Sequence, residues 1–421
     1  MRQTIALVMA GGKGERLHPL TLDRSKPAVP FGGIYRIIDV TLSNCINSDI
    51  YKIIILPQYK AQSLVEHLEA GWNIFNYALG HYMKVVPPQM RVGEDWYRGT
   101  ADSVRQNLYL IQREAPEHLL ILSGDHVYKM DYAHFKAYHE ERGADITVSV
   151  IEVPVSEAHR FGIVEVAEDY RITGFKEKPA AAKPMPGDSR HVLASMGVYI
   201  FKAEVLIELL KATDKDDFGK DIIPMALEGY SLYAFPYKKE NRIADFVYTI
   251  KEDGSRVRVL DPCVRDSSYW RDVGDLDAYW NANMDLTGVD PIFNLYGAKW
   301  PLRTFQMQYP PVKTIFRNTP SNRTGMAQDS IVSHGSIISG GVVKNSVLSY
   351  NVIVRSWSEV QESVIMSDVE IGRHCRIMKA IVDKTNRVPP RTEIGYHPEE
   401  DRRRFTVTPR GIVVVPKGTF V

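Results

Sequence analysis

The sequence predicts an α/β domain on a mostly parallel sheet, followed by a triangular parallel β-helix. Three observations predict it. Short apolar runs alternate with helical patterns through the first two-thirds of the chain. A glycine-rich loop carrying cations follows the first of those runs. Near the C-terminus, aliphatic residues recur at a fixed step of six.

With 421 residues the chain exceeds the usual size of one core, so more than one domain is expected. Its 44% hydrophobic and 24% charged residues are ordinary for a globular protein. The 52 basic and 51 acidic residues leave a net charge of +1. That balance speaks against a general nucleic-acid or membrane-surface binder. Cys45, Cys263 and Cys375 lie far apart and form neither a metal spacing nor a disulfide framework. This usage fits a reducing compartment, and cytoplasmic residence is the expectation. No stretch approaches the roughly 18 apolar residues of a membrane span. The opening "MRQTIALVMAGG" passes straight into a polar loop, so it reads as a buried strand rather than a signal peptide.

In chain order, "TIALVMA" (4–10), "YKIIILP" (51–57) and "HLLILSG" (118–124) read as strands buried on both faces. "ADSVRQNLYLIQREA" (101–115) is an amphipathic helix with Val104, Leu108 and Ile111 on one face. Beyond 144, "ITVSVIEV", "GIVEV", "ITGFKEK" and "SMGVYIF" are β-rich and extend the sheet or build a layer beside the substrate. "DFVYTIKEDGSRVRVL" (245–260) predicts two strands around an Asp253-Gly254 turn. From 286 to 325 the chain is rich in Pro, Asn and Gly and reads as a linker. The expected domains are therefore 1–285 and 326–421.

The repeat lies in the second domain. Ile331, Ile337 and Val343 are followed by Leu348, Val354 and Val360, then Ile365, Ile371 and Ile377, then Val382, Val388 and Ile394. Each trio steps by six and the trios recur every 17 residues, so about four stacked coils are expected.

The opening loop, Gly11, Gly12 and Gly14 after a strand ending at Ala10, lets backbone amides approach an anion closely. A dinucleotide fingerprint fails, because Leu17 stands where its third glycine belongs and no acid follows the second strand. A Walker loop fails for want of Gly-Lys-Ser/Thr. What fits is a loop for a nucleoside triphosphate, with Arg16 and Lys26 reaching its phosphates.

"LVMAGGKGERLHPLT…SKPAVPFGG" resembles the signature of the sugar-nucleotidyltransferases. "YRIIDVTLSNCINS", "WYRGTADSVRQN", "LSGDHVYKMDY", "FGIVEV", "FKEKP", "LASMGVYIF", "DFGKDIIP" and "YWRDVGDLDAYWNANMDL" narrow the resemblance to the glucose-1-phosphate adenylyltransferases of the bacterial glycogen pathway. It covers nearly the whole chain. It implies a Rossmann-like nucleotidyltransferase domain, a left-handed β-helix, ATP and glucose 1-phosphate as substrates, Mg²⁺ as cofactor and a homotetramer. Nucleic acid and membrane are not expected partners.

Physical chemistry agrees with the roles the resemblance implies. "LLILSGDH" is a strand ending at an acid, and ligands bind at carboxyl ends of strands in open α/β sheets. Asp125 there and Asp272 in "WRDVG" are the expected metal carboxylates, since Mg²⁺ takes one or two carboxylates plus substrate phosphates. Arg16, Lys26, Asp125 and Asp272 form the expected catalytic set. Ala10, Gly11, Gly12, Gly14, Gln58, Gly99 and Thr100 match nucleotide-contacting positions. Tyr97, Gly162, Glu177, Lys178 and Ser195 match positions that bind the sugar phosphate. Pro179 favours an extended residue before it, which limits where Lys178 points. No general base is required, and His126 is expected to be structural.

Three departures stand out. Ile34 occupies a position after "FGG" where many bacterial members carry a lysine that binds a phosphorylated activator. Arg36 and the run Arg402 to Arg404, Arg403 above all, are the candidates for an alternative site for anionic metabolite effectors. The 245–260 hairpin is longer than the corresponding family segment; a cover over the active site and an oligomer contact are alternatives, and an inert surface hairpin is the preferred reading. Glu15 stands where Ser or Thr is frequent and is expected to point away from the triphosphate or to pair with a cation. Other functions the pattern admits are a non-catalytic regulatory subunit, the same chemistry on another nucleotide and sugar phosphate, and an acyl-transferring β-helix. The first would be expected to lose catalytic acids or the sugar-phosphate lysine. The last lacks a catalytic histidine.

Overall fold

Ile, Val and Leu fill the first strand, β1 (Thr4–Ala10), and bury it on both faces of a nine-stranded sheet. The computed structural model describes the chain apart from residues 2, 13, 90–95, 319, 322 and 421. Ile5 and Leu7 pack to one side with Val104 and Ile111. Ala6 and Val8 pack to the other with Leu42 and Phe135. Alternation along one strand thus feeds two cores, as expected for a sheet covered on both faces.

The other strands of the sheet are β2 (Lys52–Pro57), β3 (Tyr82–Val85), β4 (His118–Ser123), β5 (Ile146–Pro154), β6 (Gly162–Val166), β7 (Ile172–Glu177), β8 (His191–Lys202) and β9 (Leu232–Pro236). Their order is β7-β6-β8-β4-β1-β2-β3, with β5 pairing β8 and β9. β1 runs parallel to β2 and β4, and β2 parallel to β3. β8 runs antiparallel to β4, β5 and β6. The β-rich segments beyond 144 therefore extend the sheet, as its antiparallel half. Asp125 leaves the end of β4, and the short strand His126–Tyr128 that follows pairs antiparallel with Trp270–Asp272. The 245–260 segment forms β10 (Asp245–Ile250) and β11 (Arg256–Asp261), a ribbon that, among the described residues, joins no other strand.

Three parallel sheets make the β-helix. One of them runs through Lys313–Ile315, Ile337–Ser339, Ile353–Val354, Glu370–Ile371 and Arg387–Val388, which gives five levels rather than four. Ten of the twelve residues in the aliphatic repeat, from Val343 onward, are buried. The first two are displaced by one residue. Val332 stacks on Leu348 and Ile338 on Val354, leaving Ile331 and Ile337 half-buried, because the first coil is a residue short on these faces. At the corners the backbone turns left-handed at Asn345, Asn351 and Trp357, and again one and two coils later at Glu362, Asp368 and His374 and at Lys379, Thr385 and Arg391. Strand Thr406–Val407 ends the third sheet, running antiparallel to Val413–Val415.

Within the stretch expected as a linker, residues up to 312 hold no strand, whereas Lys313–Ile315 already belongs to the β-helix. Phe293, Trp300 and Leu302 are buried against the first domain. The Trp300 indole donates to Asn44 at 2.9 Å, the Arg303 amide to Ser43 at 2.8 Å and the Thr304 hydroxyl to Asp39 at 2.6 Å. All three partners lie on α1 (Ile37–Asn47), so this stretch is a strap laid along that helix. Leu17, Phe31 and Tyr279 share a core with Val364, Met366, Ile381 and Val414, which joins the two domains through apolar packing.

Candidate active site

Beyond Ala10 the loop turns through Gly14 in the left-handed region, at φ 64°, where a side chain would be strained. The Thr21 hydroxyl fixes this turn by donating to the Gly14 carbonyl at 2.8 Å. A cavity of about 310 Å³ opens beside it. Gly11, Gly12, Lys26, Gln58, Tyr97, Gly99, Thr100, Ser123, Asp125 and Asp217 contribute to its wall. Ala10 is fully buried beneath the loop, and neither it nor Gly14 lines the cavity.

Lys26 opens a short 3-10 turn set by Pro27 and is buried. Its ammonium lies 2.8 Å from the Asp125 carboxylate and 3.2 Å from that of Asp272. The pairing of Asp272 with His126 across the two short strands is what delivers the second acid. Burial alone would lower the Lys26 pKa, but the attraction of Asp125 and then Asp272 outweighs it and raises the value. Burial alone would likewise raise the Asp125 carboxyl. Lys26 and His126 outweigh that and hold it well below the usual carboxylate range. Arg16 is exposed at the rim, its guanidinium beside Gly274 and the Asp272 carboxylate.

Two carboxylates thus converge on one cationic point at the mouth of the glycine-loop cavity. This donor set suits a divalent cation whose remaining ligands are substrate phosphates and water. Among the described residues, no cluster of three or more His, Cys, Asp and Glu side chains forms a self-sufficient metal cage. His126 lies closer to this centre than a purely structural residue needs to. Its Nε2 is 3.5 Å from Asp125 and 3.7 Å from Asp272, its ring meets Trp270 edge-on, and its Nδ1 is buried with no hydrogen-bond partner among the described residues.

The residues expected to hold the sugar phosphate gather along β6, β7 and β8. A methyl group on Gly162 would stand 2.6 Å from the Phe175 ring and 2.9 Å from the Glu177 carboxylate. Only glycine admits that approach. The Ser195 hydroxyl donates to Tyr199 at 3.2 Å and accepts from the Gly197 amide at 3.3 Å. Lys178 is exposed and ion-paired with Glu177 at 2.7 Å. Its φ is +45°, not the extended conformation expected before proline. Such strain persists only where surroundings over-determine it, and here the Lys178 amide is tied to the Phe161 carbonyl at 3.0 Å.

Tyr97 falls elsewhere. Its ring lines the glycine-loop cavity and its hydroxyl is committed, donating to Val86 at 3.0 Å and accepting from Asn107 at 2.8 Å. Its carbonyl accepts from the Gln58 amide. Tyr97 therefore shapes the cavity wall beside Gln58. Asp217 was missed in the sequence. It accepts from the Thr100 hydroxyl at 3.2 Å, and Gly219, two residues on, abuts Glu177. The "DFGKD" stretch held the signal, an Asp capping a following turn through the Lys220 amide.

Arg36 and Arg403 do not share a site. Arg36 donates to the Ser63 carbonyl at 2.6 Å and hydroxyl at 2.8 Å, and lines an interdomain cavity of about 210 Å³ with Ile34, Tyr35, Asp368 and Lys384. Burial, reinforced by Arg36 and Arg24, pushes the Lys384 ammonium down to about 8. Arg403 is exposed on helix Pro398–Arg404, where Arg402 and Arg404 pair with Glu399 and Glu400.

A nucleotidyl transferase family profile matches residues 5–288, and a GlmU-like C-terminal hexapeptide profile matches 310–415. The chain is 48% identical over its full length to the glucose-1-phosphate adenylyltransferase of Rhodopirellula baltica, covering 91% of that protein. It is 50% identical to that of Nitrosococcus oceani, with 98% of this chain and 94% of the relative covered. It is 46% identical to that of an Anaeromyxobacter species, with both chains covered in full.

Proposed function

The chain belongs to the glucose-1-phosphate adenylyltransferase family, and from that premise we propose that it transfers the adenylyl group of ATP to α-D-glucose 1-phosphate, releasing pyrophosphate. One observation carries this function. The Lys26 ammonium is held between Asp125 and Asp272 at the mouth of a glycine-loop cavity, with the Glu177 and Lys178 pair at the end of β7.

The triphosphate lies along the glycine loop, with Gln58, Gly99 and Thr100 beside the base and ribose. Glu177 and Ser195 hold the sugar hydroxyls and Lys178 the sugar phosphate. A phosphate oxygen attacks the α-phosphorus in line, the α–β bridging bond breaks, and pyrophosphate leaves. The second ionisation of a phosphate monoester lies near ~6, so at neutral pH the nucleophile needs no base. Lys26 and Arg16 neutralise charge that builds on the phosphates, so catalysis consists of positioning and electrostatic stabilisation. Asp125 and Asp272 are the residues that would hold Mg²⁺, which supplies Lewis-acid neutralisation of the triphosphate when bound.

Product use in glycogen-type α-glucan synthesis, cytoplasmic residence and a homotetramer belong to the same proposal and rest on the family resemblance of the sequence motifs. Among the described residues no helix is long and apolar enough to cross a membrane. Regulation by anionic metabolites is proposed at the interdomain cavity, where Arg36 and Lys384 supply charge and Ile34 supplies none. A sugar bisphosphate is expected to activate weakly. A strong response that survives Arg36→Ala and Arg403→Ala rules that assignment out.

Pyrophosphate release measured with Mg²⁺, glucose 1-phosphate and each nucleoside triphosphate in turn tests the activity. ATP-selective release is expected. Release with UTP or dTTP changes the substrate, and none with any triphosphate favours a regulatory subunit.

A further inference from the structure

The β10–β11 ribbon lies outside the catalytic machinery, and the adenylyl-transfer proposal does not use it. An isolated two-stranded ribbon is marginal in water, and this one joins no larger sheet. Its base is firmly held. Asp245 accepts from the amides of Ala298 and Lys299 at 3.1 Å each and from that of Phe246 at 2.7 Å. Beyond that anchor both faces carry apolar side chains. Phe246, Tyr248 and Ile250 share one face with Leu260, and Tyr248, Ile250 and Leu260 are 59%, 77% and 53% exposed. Val247 and Val259 face each other on the opposite side.

The two edges differ. β11 carries Arg256, Arg258 and Asp261, the kind of charged side chains that protect a strand edge. Arg256 and Arg258 also lie over the Tyr248 and Phe246 rings, at 4.3 and 3.9 Å. From Phe246 to Ile250, β10 has no charge and no proline. Its backbone is open as well. The Lys251 amide bonds to Ser255, and hydrogen-bonded pairs alternate along an antiparallel ladder. That alternation aims the N–H and C=O of Tyr248 and Ile250 away from β11. The Phe246 amide also points outward, but Asp245 already satisfies it.

We infer that β10 is a self-pairing edge whose occupant is β10 of a second copy of this chain. A two-fold axis at Thr249 pairs Tyr248 of each copy with Ile250 of the other. This register satisfies the outward groups of Tyr248 and Ile250 and sets Thr249 against Thr249, with no like charges opposed. The product is a four-stranded sheet with a continuous apolar stripe.

Single cysteines in a Cys263→Ser background, in the full-length protein, test the register. Directly opposed residues in a non-bonded pair have Cβ atoms ~4.5–5.5 Å apart, close to disulfide reach. Val259 would lie ~14 Å or more from its counterpart, across three strand spacings. Mild oxidation is expected to give a disulfide-linked dimer from Thr249→Cys and none from Val259→Cys. Adding Ile250→Pro removes one outward amide without breaking a bond of the ribbon's own ladder. It should abolish the Thr249→Cys dimer and leave pyrophosphate release intact. Equal cross-linking at both positions, none at Thr249, or cross-linking that survives Ile250→Pro overturns the pairing.

Discussion

Arg24, two residues before Lys26, donates two hydrogen bonds to Asp383 of the β-helix, at 2.9 and 2.8 Å. Both side chains are buried, so the loop that places Lys26 is bolted to the second domain through a desolvated ion pair. Removing one partner of such a pair leaves an unpaired buried charge and costs ~3–5 kcal/mol. Arg24→Ala is expected to lower the denaturation midpoint by a corresponding amount. Arg24→Met with Asp383→Leu should cost less than either single change. A double mutant cycle by chemical denaturation checks this, and strictly additive losses would refute the coupling.

Asp125 and His126 are neighbours with different expected costs. Asp125→Ala removes one of the two carboxylates around Lys26 and should lower kcat by on the order of 10²–10³. His126→Ala removes an edge-on contact to Trp270 and should cost about tenfold or less. Steady-state pyrophosphate release measures both. Equal losses would contradict a mechanism without a general base.

The pH dependence follows from two opposite shifts. Asp125 lies below its ordinary 3.8 in the folded chain, so its pairing contributes fully above 3.8 and fades as pH falls toward the folded value. Lys26 lies above its ordinary 10.5, so its contribution is complete below 10.5 and is lost as pH rises through the folded value. Neither group titrates between those limits. An acid limb in kcat/KM should therefore sit near ~6, the second ionisation of the sugar phosphate. It should keep that midpoint in His126→Gln. A shifted midpoint in that variant would assign the limb to the imidazole.

Gly162→Ala places a methyl group against Phe175 and the Glu177 carboxylate. The KM for glucose 1-phosphate should rise by roughly tenfold or more, as expected when ~1.4 kcal/mol of positioning is lost. The KM for ATP should hold within about twofold. A matching rise in both constants would show a general collapse of the sheet edge instead.

Local pattern made much of this legible. The glycine loop, the strand ending at Asp125 and the six-residue step of the β-helix are all short-range signals, and the hairpin turn at Asp253-Gly254 is another. Long-range contacts were not legible. Nothing near Lys26 announces that it bridges Asp125 and Asp272, because a two-strand pairing far along the chain makes that geometry. The strap from Phe293 to Thr304 looked like a linker because its order comes from α1 and not from its own periodicity. Lys178 broke a sound local rule, since tertiary hydrogen bonding overrode the preference before proline. The one-residue slip in the first coil came from a shorter turn that a fixed period cannot register.

Strand Thr406–Val407 reverses direction at the end of the third β-helix sheet. A stack of identical parallel rungs has no intrinsic length, because each new rung presents the same template as the one below it. Any other chain with matching rungs could then be added, and the outcome would be a filament. By laying one antiparallel rung across the end of that sheet, the chain closes one of the three edges on which a further rung could stack. The colloidal consequence is a bias against fibres grown rung upon rung from that end.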